Sequence, residues 1–388
     1  MPASSQEIVE FIRRIYGEPE AFIPLHAPRF LGKEKEYVLE AIDSTFVSSV
    51  GQYVGRFEEL VAEITGAKHA VAIVNGTCAI HLALHIAGVG RDSEVITQPL
   101  TFVATGNAVA HAGAEPHFVD VDADTMGMSP DKLAERLDKI AELRDDVPFN
   151  RQTGKRIAAC LPMHTFGFPL RIDEVVEVCS RYNVPVVEDA AESLGSIYKG
   201  TPTGRFGRLG AFSFNGNKTV TSGGGGAIIT DDDDLARRAK HLSTTAKLAH
   251  AWEYAHDEVG YNYRLTNLSA ALGCAQLEQL GDFIDNKRET ARLYNDFFAD
   301  MDVEFVNGID HAEPNYWLST ILVNDENERD EFLEYSNQSG VMCRPAWKLL
   351  CELPMYKDSP AGDLENAYNL ARRIVNIPSS VRTNTTSA

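Results

Sequence analysis

The sequence predicts an α/β fold: a large domain with a mostly parallel sheet flanked by helices, and a smaller α/β domain toward the C-terminus. Three observations carry this. From residue 69 onward, short apolar runs alternate with helical patterns. The runs are apolar on both faces, as strands covered by helices on each side must be. After roughly residue 290 the rhythm restarts as a second, shorter mixed set.

Taken in order, Met1 to Gly17 sets Glu7, Glu10, Arg13 and Arg14 among Ile8, Val9, Phe11 and Ile12, an amphipathic helix without the apolar run of a signal peptide. Strand and helix then alternate: His69 to Val74, Cys78 to Gly88, Glu94 to Thr97, Phe102 to Gly113, Pro116 to Val121, Pro130 to Leu143, Arg156 to Met163, Asp173 to Tyr182, and Val184 to Val187. Two short strands, Leu209 to Phe214 and Gly226 to Thr230, flank a polar and then glycine-rich stretch before a helix opening at Asp231. A long helical pattern over Thr266 to Lys287 leads into Trp317 to Val323, Arg329 to Ser339 and Val341 to Arg344. The expected division is an N-terminal helix over 1–20, a large domain over 21–260, and a linking helix with a small domain over 261–388.

The chain of 388 residues has 36 Lys and Arg against 56 Asp and Glu, a net charge of −20. That deficit argues against nucleic acid as a partner, because phosphate-backbone binding depends on clustered basic residues. No stretch approaches the apolar length of a membrane span. The six cysteines are scattered without C-x-x-C or zinc-type spacing. They read as buried thiols of a reducing compartment, so a cytoplasmic protein without metal or membrane partner is expected.

The most informative segment runs from Gly210 through Ser213 and Lys218 to four consecutive glycines ending at Gly226. A lysine desolvated there can attack a carbonyl to form a Schiff base. A surface lysine in a hairpin is the competing reading. Upstream, the apolar run Val184 to Val187 ends in Glu188 and Asp189. A carboxylate at the end of a buried strand lies at the ligand end of such a sheet, where Asp189 could pair with a protonated pyridine nitrogen or simply cap a helix. Strand alternation turns Glu188 the other way. Gly76, Thr77 and Cys78 open a helix after a strand, an anion site suited to phosphate or an ordinary N-terminal cap. Phe102 could stack on a flat heterocycle or pack in the core.

The order of these segments resembles the DegT/StrS-type nucleotide-sugar aminotransferases, which are fold type I pyridoxal phosphate enzymes. The matching phrases are Thr101-Phe-Val-Ala-Thr105, Glu188-Asp-Ala-Ala-Glu-Ser-Leu-Gly-Ser196, Phe212-Ser-Phe-Asn-Gly-Asn-Lys218 and Gly260-Tyr-Asn-Tyr-Arg-Leu265, within a likeness running from Phe22 to Ser380. The resemblance implies that Lys218 forms the Schiff base with pyridoxal 5'-phosphate and Asp189 pairs with its ring nitrogen. It also implies that Ser213, Thr77 and the Cys78 amide hold the phosphate, Phe102 covers the ring, and Glu192 touches the cofactor hydroxyl. It further implies a homodimer with shared sites, in which Asn262 reaches the neighbour's phosphate and Arg264 its substrate.

At a finer level, Phe22 to Phe30, Val47 to Gly51, Met163 to Pro169 and Thr244 to Lys247 resemble the 4-aminotransferases of bacillosamine and legionaminic acid biosynthesis. The expected reaction moves the amino group of L-glutamate to C4 of a nucleotide-linked 4-keto-6-deoxy-N-acetylglucosamine, with His164 and Arg264 as substrate contacts. Another ketosugar, or a non-catalytic pyridoxal phosphate-binding regulator, stands as the alternative.

Overall fold

The computed structural model describes residues 4–383. Seven strands form the central sheet: β1 (His69–Ile73), β2 (Ser93–Thr97), β3 (Glu115–Phe118), β4 (Arg156–Leu161), β5 (Val187–Asp189), β6 (Leu209–Ser213) and β7 (Gly226–Thr230). β2 pairs in parallel with β3 and β4, and β5 with β6. The parallel bridges Cys160 to Val186 and Met163 to Asp189 join β4 to β5. β7 is antiparallel to both β6 and β1. The order is therefore β3-β2-β4-β5-β6-β7-β1 with only β7 reversed, the mostly parallel sheet the sequence predicts.

Both faces are covered, which is why the strands read as continuous apolar runs. Val71, Val95, Ala159, Val187 and Ala211 pack with the Gly76–Ile86 helix on one side. Phe57, Phe212, Phe214 and Ile229 pack with the Asn267–Leu277 helix on the other.

The second unit is an antiparallel sheet in which β8 (Ser319–Leu322) and β9 (Ile374–Ile377) are flanked by Glu304–Phe305 and Arg344–Pro345. The N-terminal helix, Ser5–Tyr16, opens with a capping box between Ser4 and Glu7 and closes on Gly17 at φ 64°. Its apolar face, including Ile8, Ile12 and Ile15, packs with Tyr294, Phe298, Phe332 and Ile377. The chain's first helix thus shares a core with its last strand. No helix among the described residues is long and apolar enough to cross a membrane.

Three elements depart from the sequence expectation. The helix from Pro130 ends at Ile140, and a hairpin of Ala141–Arg144 and Val147–Asn150 follows. Its turn, Asp145-Asp146, has φ of 49° and 62°, the left-handed pair that a two-residue hairpin loop requires. The pattern over Thr266 to Lys287 is two helices, Asn267–Leu277 and Leu280–Phe298. Between them Gln279 turns its side-chain amide onto the Ala275 carbonyl and Glu34. The strand read at Val184 to Val187 is displaced to Val187–Asp189, so the carboxylate lies inside it.

Candidate active site

Every parallel strand of the central sheet delivers its C-terminal end to one edge, where ligands of such sheets bind. A cavity of about 280 Å³ opens there, lined by Gly76 and Thr77 after β1, Phe102 and Thr105 after β2, Met163 after β4, Asp189 and Glu192 at and after β5, and Ser213 and Lys218 at and after β6. Residues spread over 142 positions of sequence thus meet because each follows a neighbouring strand.

Lys218 is held by a turn in which its backbone N–H donates to the Asn215 carbonyl (3.0 Å). Its Nζ donates to Glu192 Oε1 at 3.1 Å and lies 3.9 Å from the centre of the Trp317 ring, held between an acid and a π face. Glu192 accepts through its other oxygen from the Phe166 N–H at 2.9 Å. Burial nonetheless raises its carboxyl to about 7, against the downward pull of Lys218.

Asp189 is almost completely buried. Its Oδ2 accepts from Thr105 Oγ1 (2.7 Å) and its Oδ1 from the Ala191 N–H (3.2 Å). Burial still pushes its carboxyl upward, so it gains from a cation brought against it.

The Gly76–Ile86 helix points its N-terminus into the cavity and is capped by Asn75, whose Oδ1 accepts from the Cys78 N–H at 2.8 Å. This corrects the expectation for Cys78: its amide is committed to the cap and Cys78 does not line the cavity. Among the described residues, nothing accepts from the Gly76 and Thr77 N–H groups, which are left for an anion. A Cβ on Gly76 would lie 2.7 Å from that of Ser213, so glycine lets the helix end and Ser213 meet. Gly226 has a related reason, since its Cβ would lie 2.5 Å from the Asn75 carbonyl oxygen. The last glycine of the run after Lys218 thus serves close approach of β7 to the phosphate-side turn.

His164 is the second correction. It is fully buried away from the cavity, its Nε2 3.0 Å from Glu188 Oε2 and its Nδ1 accepting from the Leu170 N–H at 3.4 Å. Glu188 also accepts from the N–H groups of Gly204, Phe206 and Gly207. The cause is alternation: Met163 faces the cavity, so its neighbour faces the opposite side, where Glu188 also points. Asn262 and Arg264 do not line the cavity of their own chain. Arg264 Nε donates to Asn262 Oδ1 (3.2 Å), and Asn262 is exposed. Phe102 stands at the mouth, 47% exposed.

Sequence reasoning missed Thr105, Trp317 and Trp347. Thr105 carries a readable signal, since it lies one helical turn after Phe102 and so on the same face. The two tryptophans come from the second unit and have no local signal. The only group of metal-ligand-type side chains among the described residues, His241, Asp257 and Glu258, has Arg238 already forked onto Glu258.

The cavity fits pyridoxal phosphate on its own chemistry: unbonded N–H groups and Thr77 for the phosphate, a buried carboxylate short of a cation for the ring nitrogen, and an amine that can reach between them. Comparisons with known proteins agree. Residues 30–388 match the DegT/DnrJ/EryC1/StrS aminotransferase family. The chain is 37% identical over 358 residues to a GDP-perosamine synthase of Escherichia coli O157:H7, covering 92% of this chain and 93% of that one. It is 31% identical over 339 residues to a UDP-4-amino-4,6-dideoxy-N-acetyl-beta-L-altrosamine transaminase of Campylobacter jejuni, covering 84% and 85%. The aminotransferase TlmJ from Streptoalloteichus hindustanus superposes with a TM-score of 0.85 at 25% identity, covering 95% of each chain. The chain belongs to the DegT/DnrJ/EryC1/StrS aminotransferase family and is a pyridoxal phosphate-dependent aminotransferase of the type I fold.

Proposed function

We propose that the protein transfers the amino group of L-glutamate to C4 of a UDP- or GDP-linked 4-keto-6-deoxy-N-acetylglucosamine, giving the equatorial 4-amino sugar for a bacterial surface glycan. What carries the reading is the convergence of Lys218, Asp189 and Glu192 in one cavity, in a chain whose relatives are named for GDP- and UDP-linked amino sugars. The phrases around Phe22 to Phe30 and Met163 to Pro169 support the N-acetylglucosamine series.

Pyridoxal phosphate, when bound, supplies the electron sink and carries the nitrogen between the two half-reactions. Lys218 holds the cofactor at rest. With the cofactor bound, its Nζ would be the tethered base placed to accept the donor's Cα proton and hand it back to the cofactor carbon across the shared nitrogen. Asp189 keeps the ring nitrogen protonated, and Glu192 bonds the ring hydroxyl. Gly76, Thr77 and Ser213 anchor the phosphate, and Phe102 limits access of water.

The working unit in this reading is a cytoplasmic homodimer, Asn262 and Arg264 serving the neighbour's site. Support comes from large apolar side chains left exposed at the surface, among them Phe46 (57% exposed), Trp252 (79%) and Val259 (85%).

The test is amination of the candidate ketosugar with glutamate as donor, followed by proton NMR of the product. Large couplings at H4 to both H3 and H5 are expected. A small H4 coupling, or turnover only of a 3-keto sugar, overturns the substrate and leaves the lysine chemistry standing.

A further inference from the structure

Beside the cofactor cavity, sharing Asn217, Trp317 and Trp347 with it, lies a second cavity of about 440 Å³. Trp317 forms the partition: its ring faces Lys218, and its indole N–H donates to the Asn217 carbonyl at 2.6 Å. The far walls are largely apolar, with Leu25, Phe166 and Met342 among them.

His26 stands in this wall. Both of its ring nitrogens are shielded from solvent and neither makes a hydrogen bond of full geometry, although the Asn217 backbone stands close enough to act on the ring; no other histidine among the described residues is left so. Nearly all buried polar groups in proteins are bonded, so an imidazole left with two bonds unmade asks for a partner. Arg344, at the exposed rim, donates through Nη1 to Asn337 Oδ1 and the Cys343 carbonyl, and Asn376 accepts from Thr320. The charges acting on His26 are all positive, from Lys287, Lys218 and Arg29. Burial, the largest cause, together with them holds it well below the usual histidine range, against the opposing pull of the Asn217 backbone. The ring is therefore neutral, offering one donor and one acceptor and no charge for a phosphate.

A sugar whose keto carbon is held at Lys218 carries its C2 substituent two ring atoms away, and the cavity behind Trp317 is the adjoining space. We propose that His26 determines specificity for the acceptor's C2 substituent, hydrogen-bonding an acetamido group whose methyl packs against the apolar wall. An amide carries an acceptor and a donor that can answer those of a neutral imidazole, together with a methyl for Leu25 and Phe166. A hydroxyl is shorter and brings no apolar part. The assignment rests on the proposed sugar substrate and deepens it.

The experiment measures kcat/KM for two nucleotide-linked 4-keto-6-deoxy sugars, differing only in acetamido or hydroxyl at C2, on holoenzyme of the wild type and of His26→Ala, His26→Asn and His26→Phe. Cofactor absorbance and melting temperature establish that each variant is folded and loaded. The wild type is expected to prefer the acetamido sugar. His26→Ala and His26→Phe should each lose roughly 10- to 100-fold on it, the scale of a lost hydrogen bond to a buried group, while changing the hydroxyl sugar less than about threefold. His26→Asn, which keeps a donor and an acceptor, should recover part of the loss. If the alanine variant does not load, the phenylalanine variant carries the comparison. Equal loss on both sugars, or unchanged selectivity, overturns the role of His26 while the substrate reading stands. A wild type that consumes glutamate yet aminates neither sugar overturns the substrate reading, and this assignment with it.

Discussion

Lys218 and Glu192 face one another across 3.1 Å, the lysine almost and the glutamate wholly out of solvent. Pairing a buried acid with the reactive amine fixes where the amine sits before the cofactor takes it up. It also leaves the acid short of solvation, which burial expresses as a carboxyl raised to about 7.

A pH dependence follows for the cofactor-free protein. With a folded value near 7 against 4.5 unfolded, the folded chain holds an extra proton between those limits. Stability from this group is therefore greatest below pH 4.5 and declines as pH rises to 7, by at most about 3 kcal/mol. Glu192→Gln should lack that decline, so its melting temperature relative to the wild type should rise from pH 5 to pH 8. Parallel curves would show that Glu192 does not titrate in this range.

Asp189→Asn should keep the cofactor and lose roughly 10²-fold or more in turnover, the scale seen when a buried electrostatic partner is removed from developing charge. The amide oxygen still accepts from the Ala191 N–H and its NH2 can donate to the Thr105 hydroxyl oxygen, so the pocket keeps its shape. What is lost is the anion that holds the ring nitrogen protonated. Turnover near the wild-type value would remove Asp189 from this role.

Subunit sharing gives a third expectation. Lys218→Ala and Arg264→Ala chains, each inactive alone, should regain part of the activity when mixed, because one of the two sites in a mixed dimer then has both groups. Subunit exchange is verified independently by differently tagged chains. Verified exchange without recovery would place Arg264 in its own chain's site or in none.

Much of the site was legible because Lys218, Asp189, Ser213, Thr77 and Phe102 each end or follow a strand, and strand order converts local patterns into one edge. His164 failed by a single step: at a strand end, one residue decides which side of the sheet a side chain meets. Cys78 failed because Asn75 had a prior claim on its amide. Trp317, Trp347 and His26 left no signal, since their meaning arises when the second unit and the N-terminal segment fold over the edge. The hairpin after Ile140 was hidden because Leu143 and Arg144 extend a helical pattern, and only the left-handed Asp145 and Asp146 break it.

The last prediction concerns how that second unit is fastened. Lys287, on the Leu280–Phe298 helix, is buried without a carboxylate, and its Nζ donates to the carbonyls of Trp317 (3.3 Å) and Ser379. It thus anchors the backbone of the residue whose ring meets Lys218. Desolvation lowers its ammonium from 10.5 to about 7. Between those values the unfolded chain keeps a proton that the folded chain releases, so stability rises with pH across this window, and the cost of burying the charge is fully felt below about 7. Lys287→Met removes both the cost and the two hydrogen bonds. The variant should therefore fall further behind the wild type at pH 9 than at pH 7, by on the order of 2 kcal/mol. Melting curves of both proteins at the two values measure this directly. A stability gap independent of pH would mean that Lys287 keeps its charge in the folded protein, and that its grip on Trp317 is that of an ammonium throughout.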